Sequence, residues 1–175
     1  MSALKQNPRR GDFVLLCNHM EFSLGQLPKA AEQIIAVAKR SFATDHATLI
    51  TFSGDLGAGK TTLIQEIAKQ LGVTETLQSP TYVIYKKYSL RSAIAESLPL
   101  KEGDSEPWGY LVHGDMYRLE SVDEILKLGW DGLLTDPKNI LLIEWPEKIA
   151  KVIPGWAVQI KISHMNETVR HIDII

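Results

Sequence analysis

The chain has 175 residues, 45% of them hydrophobic and 23% charged, with a formal net charge of −2. This is the make-up of one ordinary soluble domain, large enough to bury about 70% of its unfolded surface without disulfides or a structural metal. The mild negative charge argues against a stand-alone nucleic-acid binder, and the single cysteine, Cys17, excludes an internal disulfide and a cysteine-rich zinc site.

Residues 1–12 are polar and are expected to fray. The apolar run Phe13 to Cys17 is too short for a signal-peptide core or a membrane span. A cytoplasmic chain with neither membrane nor DNA as partner is therefore expected. Ile34, Ile35, Ala38 and Phe42 recur at helical spacing, which predicts a helix over Leu27 to Phe42. Thr48 to Ser53 is β-rich and stops at Gly54, so it reads as a strand. Thr61 to Leu71 reads as a helix with Gly72 at its stop position.

Tyr82 to Lys87 predicts a second strand, and residues 89–109 predict a polar surface insertion. Tyr110 to His113 is a short apolar strand. Ser121-Val122-Asp123-Glu124 is a capping box whose helix should end near Gly129. Ile140 to Ile143 is an unbroken apolar run, as in a strand buried on both faces of a parallel sheet. Ala157 to Ser163 and Thr168 to Ile174 flank Met165-Asn166-Glu167 and suggest a closing hairpin. The alternation predicts an α/β three-layer sandwich, mostly parallel with an antiparallel C-terminal hairpin, in one domain over residues 1–175.

The chemistry starts at Gly54-Asp55-Leu56-Gly57-Ala58-Gly59-Lys60-Thr61, which fits G-x-x-x-x-G-K-[ST] between a predicted strand and a predicted helix. Glycines let successive backbone N–H groups turn toward phosphate oxygens, and the following helix offers its positive end to the same anion. Lys60 is placed for the β- and γ-phosphates of ATP, and the Thr61 hydroxyl for Mg²⁺. A phosphate cradle of this kind needs an acidic metal partner on a neighbouring strand, and Asp115 is the best placed; a turn-forming Gly114-Asp115 pair is the alternative.

Glu144 directly follows the buried run, where strand ends of open α/β sheets face the ligand crevice. A carboxylate there can orient or deprotonate water, or hold metal, against the plain alternative of a solvated strand-end acid. Trp145 reads equally as a base-packing indole and as core. Thr81, in Ser79-Pro80-Thr81, either reaches the γ-phosphate and Mg²⁺ from a switch-like loop or sits in an ordinary turn, the weightier reading on residues alone. His113 reads as polar core filling, and Arg118 as either a phosphate or partner anchor or a surface ion pair.

Taken as a series, Gly54 to Thr62, Ser79-Pro80-Thr81-Tyr82, His113-Gly114-Asp115-Met116-Tyr117-Arg118-Leu119 and Glu144-Trp145-Pro146-Glu147 resemble the TsaE (YjeE) family over roughly residues 20–175. The stretch Ser89 to Gly109 is longer and more polar than in a compact member. The resemblance implies a switch threonine at Thr81, a Walker-B-like acid at Asp115, an acid needed for hydrolysis at Glu144 and a base-side tryptophan at Trp145. It also implies a Mg²⁺-dependent ATPase that works on TsaB and TsaD. With TsaC these place a threonylcarbamoyl group on the adenosine following the anticodon, so tRNA is met indirectly. With no residue that looks like a pre-placed arginine finger, turnover alone is expected to be weak. Two other functions compete: a small-molecule P-loop kinase, for which residues 89–108 make an arginine-poor lid, and a nucleotide-sensing adaptor that does not hydrolyse.

Overall fold

The computed structural model describes residues 19–80, 82–90 and 107–175, so residues 1–12, Cys17, Thr81 and most of the 89–109 insertion lie outside the described residues. Seven strands form one sheet: β1 (His19–Ser23), β2 (Thr48–Ser53), β3 (Tyr85–Ser89), β4 (Tyr110–Asp115), β5 (Asn139–Glu144), β6 (Val158–His164) and β7 (Val169–Ile174). The helices are α1 (Leu27–Arg40), α2 (Lys60–Gln70), α3 (Val122–Lys127) and α4 (Trp130–Leu134), with a kinked 3-10 stretch over Pro146–Val152. Among the described residues no helix is long and apolar enough to cross a membrane.

The strand order is β1-β7-β6-β2-β5-β4-β3. The central strands β6, β2, β5 and β4 run parallel, while β1–β7, β6–β7 and β3–β4 pair antiparallel. The fold is thus mixed α/β. The expected C-terminal hairpin is there as β6 and β7, but the antiparallel share is larger than expected, because β1 and β3 also close the two edges that way.

Alternation along the strands builds two cores. Ile140 and Leu142 of β5 join Ile50 and Phe52 of β2 in one cluster, together with Ala31, Ile34 and Ala38 of α1 and Leu63, Ile64 and Ile67 of α2. Leu141 and Ile143 point the other way and join Leu49, Ile125 of α3, Trp130 of α4 and Ile149. All of β5 is buried, which is why its sequence is an unbroken apolar run with no polar alternation. Each fully buried aliphatic side chain contributes roughly 1.5–3 kcal/mol, so the sheet is clamped from both faces and its central strand ends are fixed in place.

Local signals set the helix limits. Pro28 stands in the first turn of α1, where its missing N–H costs nothing. Beyond α2, the Val73 N–H donates to Ala68 O and the Gly72 N–H to Lys69 O, the double bond that ends a helix on a left-handed residue. The Glu124 carboxylate accepts the N–H groups of Ser121 and Glu120, so the capping box forms as read. Its helix ends at Lys127, and Gly129, at φ 85°, starts α4.

Two expectations shift. The strand expected over Tyr82 to Lys87 begins only at Tyr85, because Ile84 sits at φ 67° and the Tyr85 N–H closes a tight turn onto Val83 O. The insertion expected at the surface has buried ends: Leu90 and Trp108 join the first core, and the Trp108 indole N–H donates to Thr48 Oγ1 at 2.9 Å.

Candidate functional site

β2 delivers the chain to the turn at Gly54 and α2 carries it away from Lys60. Gly54 sits at φ 136°, and a Cβ built there would stand 2.1 Å from Ile162 O on β6. Backbone is immovable on that scale, so only glycine fits. Gly57 and Gly59 also take positive φ, at 79° and 102°. Gly54→Ala is therefore expected to lower the melting temperature, which a thermal melt reads.

Lys60 is 4% exposed. Its Nζ donates to Gly54 O at 2.6 Å and Asp55 O at 2.9 Å and lies 3.9 Å over the Trp145 ring. Burial pulls its pKa below the usual ammonium range, while Glu144, Glu147, Asp115 and Asp55 push it back up. The first turn of α2 adds N–H groups without intrahelical partners and the positive end of the helix dipole. The turn therefore concentrates positive charge in a small buried space.

Asp115 and Glu144 close β4 and β5 and are register partners across that pair. Both are buried. The Thr61 hydroxyl lies 2.9 Å from each Glu144 oxygen and donates to them. His113 Nε2 lies 2.9 Å from Glu144 Oε1, an N–H donated to a carboxylate, while its buried Nδ1 has no partner among the described residues. The Ser79 hydroxyl donates to Asp115 Oδ2 at 2.5 Å, and the Tyr117 N–H to Asp115 Oδ1 at 3.1 Å. Each acid is thus held by at least two donors. The Thr61 hydroxyl and the two carboxylates are hard oxygen donors, a set that fits Mg²⁺ and suits soft metals poorly.

Trp145 stands at φ 58°, with its N–H donated to Phe52 O at 3.2 Å. A tryptophan in this region stores about 1–3 kcal/mol of strain. The conformation lays the indole against Lys60 and 5.0 Å from the Tyr117 ring. The half-buried ring also packs on the second core. It therefore lines the site and serves as packing at once.

These residues surround a cleft of about 370 Å³ at the C-terminal edge of the parallel strands, a volume in the range of small-molecule sites. Leu56, Gly57, Gly59, Lys60, Thr61, Thr62, Asp115, Glu144 and Trp145 line it, while Gly54, Asp55 and Ala58 build the turn behind. Thr81 lies outside the described residues. Ser79, Tyr117 and Arg118 also line the cleft. No local pattern marks Ser79 as a partner of Asp115, since the contact spans 36 residues of sequence. His113, read as core filling, is fully buried yet bonded to Glu144. The Arg118 guanidinium stacks 4.4 Å over the Tyr82 ring at the rim. A second cleft of about 330 Å³, between Thr51, Ser53, Gln159 and the 146–155 segment, has Glu147 as its only charged lining residue and is ill suited to an anion.

The sequence model described as Threonylcarbamoyl adenosine biosynthesis protein TsaE matches residues 27–172. A tRNA threonylcarbamoyladenosine biosynthesis protein TsaE of Bacillus subtilis is 34% identical over 142 residues, covering 81% of this chain and 78% of that protein. One of the same name from Haemophilus influenzae is 29% identical over 156 residues, covering 89% and 84%. The crystal structure of Bacillus subtilis YdiB superposes with a TM-score of 0.53 at 25% identity, covering 89% of this chain and 84% of that one.

Proposed function

This chain belongs to the TsaE family of threonylcarbamoyl adenosine biosynthesis proteins, and from that premise we propose that it is a Mg²⁺-dependent P-loop ATPase. In this reading the chain is a single P-loop domain that works in the cytoplasm on a TsaB–TsaD complex and meets tRNA through it. The convergence of Lys60, Thr61, Asp115 and Glu144 on one cleft beside the start of α2 carries the reading.

The turn from Gly54 to Thr62 holds the phosphates of ATP. Lys60 leaves the carbonyls of Gly54 and Asp55, which it meets at 2.6 and 2.9 Å, for the β- and γ-phosphate oxygens. Thr61, Asp115 and Glu144 would hold Mg²⁺, and Thr81 would be a further ligand. Bound Mg²⁺ supplies charge neutralisation on the phosphates. Glu144, steadied by Thr61 and His113, takes a proton as a water oxygen bonds to the γ-phosphorus. The bond from that phosphorus to the bridging oxygen breaks, and ADP and phosphate leave. Trp145 walls the nucleotide site.

Arg118, which lines the cleft, has its guanidinium engaged by the Tyr82 ring. A partner-supplied or repositioned guanidinium contributes about 10³–10⁵ in rate in other NTPases, so turnover alone should be slow and should respond to TsaB and TsaD. The test is multiple-turnover tRNA threonylcarbamoylation with TsaB, TsaC and TsaD, following free phosphate in parallel. Product beyond one equivalent of TsaD that depends on this chain, with phosphate released to water, supports the reading. Phosphate transferred to a nucleoside or metabolite would instead identify a kinase. Full modification without any hydrolysis would identify an adaptor.

A further inference from the structure

A second cluster of chemistry-bearing side chains lies away from the cleft, on the outermost antiparallel pair. His19 and Glu21 of β1 face Asp173 and His171 of β7 as register partners. Successive strand residues alternate in direction, so these four share one face. The opposite face sends Met20, Phe22 and Ile172 into the first core. His19 Nδ1 lies 2.5 Å and His171 Nε2 3.0 Å from the same oxygen, Asp173 Oδ1. The imidazole rings stack at 6.0 Å.

We propose that His19, His171 and Asp173 form a binding site for one borderline transition-metal cation of the Zn²⁺ class. Their three ligand atoms lie within 4.8 Å of one another. A tetrahedral ion with ligands at about 2.0–2.2 Å holds donor atoms roughly 3.3 Å apart, so the contacts to Asp173 need open by less than about 1 Å. Two imidazoles and one carboxylate favour Zn²⁺, Ni²⁺ or Cu²⁺ over Mg²⁺ or Ca²⁺, which prefer all-oxygen shells. Glu21 stands opposite His171 on the same face.

The backbone supports the site: β1 and β7 fix three donor positions in register, and His19, at 72% side-chain exposure, leaves the ion a way in. Lys161 of β6, the register partner of Asp173, opposes a cation and keeps the affinity modest. Occupancy would clip β1 to the sheet by a side-chain bridge in addition to its backbone ladder. The proposal does not depend on the function of the nucleotide cleft.

The test is calorimetric titration of tag-free, chelator-stripped full-length protein with Zn²⁺, in excess Mg²⁺ to cover the cleft acids. Co²⁺ absorption gives an independent signature of imidazole ligation. One equivalent is expected, with His19→Ala and His171→Ala each weakening it at least about tenfold, the size that even outer-shell losses reach at metal sites. Lys161→Ala should tighten binding. His19 is largely exposed, so its variant keeps the fold, which a thermal melt verifies. No saturable binding, several weak equivalents, or one equivalent indifferent to both histidine replacements would overturn the proposal.

Discussion

Lys60→Ala is expected to weaken Mg-ATP binding by at least about 10²-fold and to abolish measurable hydrolysis, with little change in the fold. A single preorganised donor aimed at developing charge is worth about 10²–10³ in rate, and Lys60 is a buried cation lining the cleft. Alanine suits the first turn of α2, and the released Gly54 and Asp55 carbonyls border the cleft, where water can take over their bonds. Calorimetry and a thermal melt separate the two effects. The same side chain makes affinity depend on pH. Burial places the folded pKa of Lys60 below its unfolded value. The folded state therefore gives up this proton first as pH rises. The stability cost of burying the ammonium is fully present below that lowered pKa and is lost as pH rises from it to the unfolded value. Deprotonated Lys60 neutralises no phosphate charge, so ATP affinity should fall over the same window. Affinity unchanged by Lys60→Ala would remove the residue from the site.

Glu144→Gln is expected to lower the hydrolysis rate by about 10²–10⁴, the contribution of a positioned base, while ATP still binds. Glutamine keeps the shape and offers an acceptor oxygen to the Thr61 hydroxyl and the His113 N–H, each now 2.9 Å from the carboxylate. What it loses is the negative charge and the ability to take a proton. Single-turnover hydrolysis with trapped ATP measures this directly, and the variant should stall tRNA modification after a first round. A variant that hydrolyses normally would reduce Glu144 to a positioning contact of Thr61.

Much of the phosphate turn is legible in the sequence because its chemistry is local: Gly54 to Thr61 are consecutive, and the strand before and helix after announce themselves by apolar pattern. The strand-end acids are legible for a related reason. Glu144 stands where the unbroken apolar run Ile140 to Ile143 stops, and Asp115 follows the shorter strand signal Tyr110 to His113 by two residues. The edges are harder. β1 sends Met20 and Phe22 inward, so its five residues leave little pattern. β3 starts three residues late because Ile84 adopts a left-handed turn that a β-branched residue disfavours, imposed by contacts distant in sequence. The bond from His113 to Glu144 depends on the register of β4 against β5, which no local pattern states. Trp108 looks like part of a polar insertion until its indole is seen on Thr48, 60 residues away.

The most direct measurement is a crystal structure with Mg²⁺ and a non-hydrolysable ATP analogue. The account predicts the γ-phosphate on Lys60 and the turn from Gly54 to Thr62, with the metal among Thr61, Asp115 and Glu144. A nucleotide seated elsewhere, such as the cleft between Thr51, Gln159 and Pro154, or a metal that engages neither acid, would contradict it.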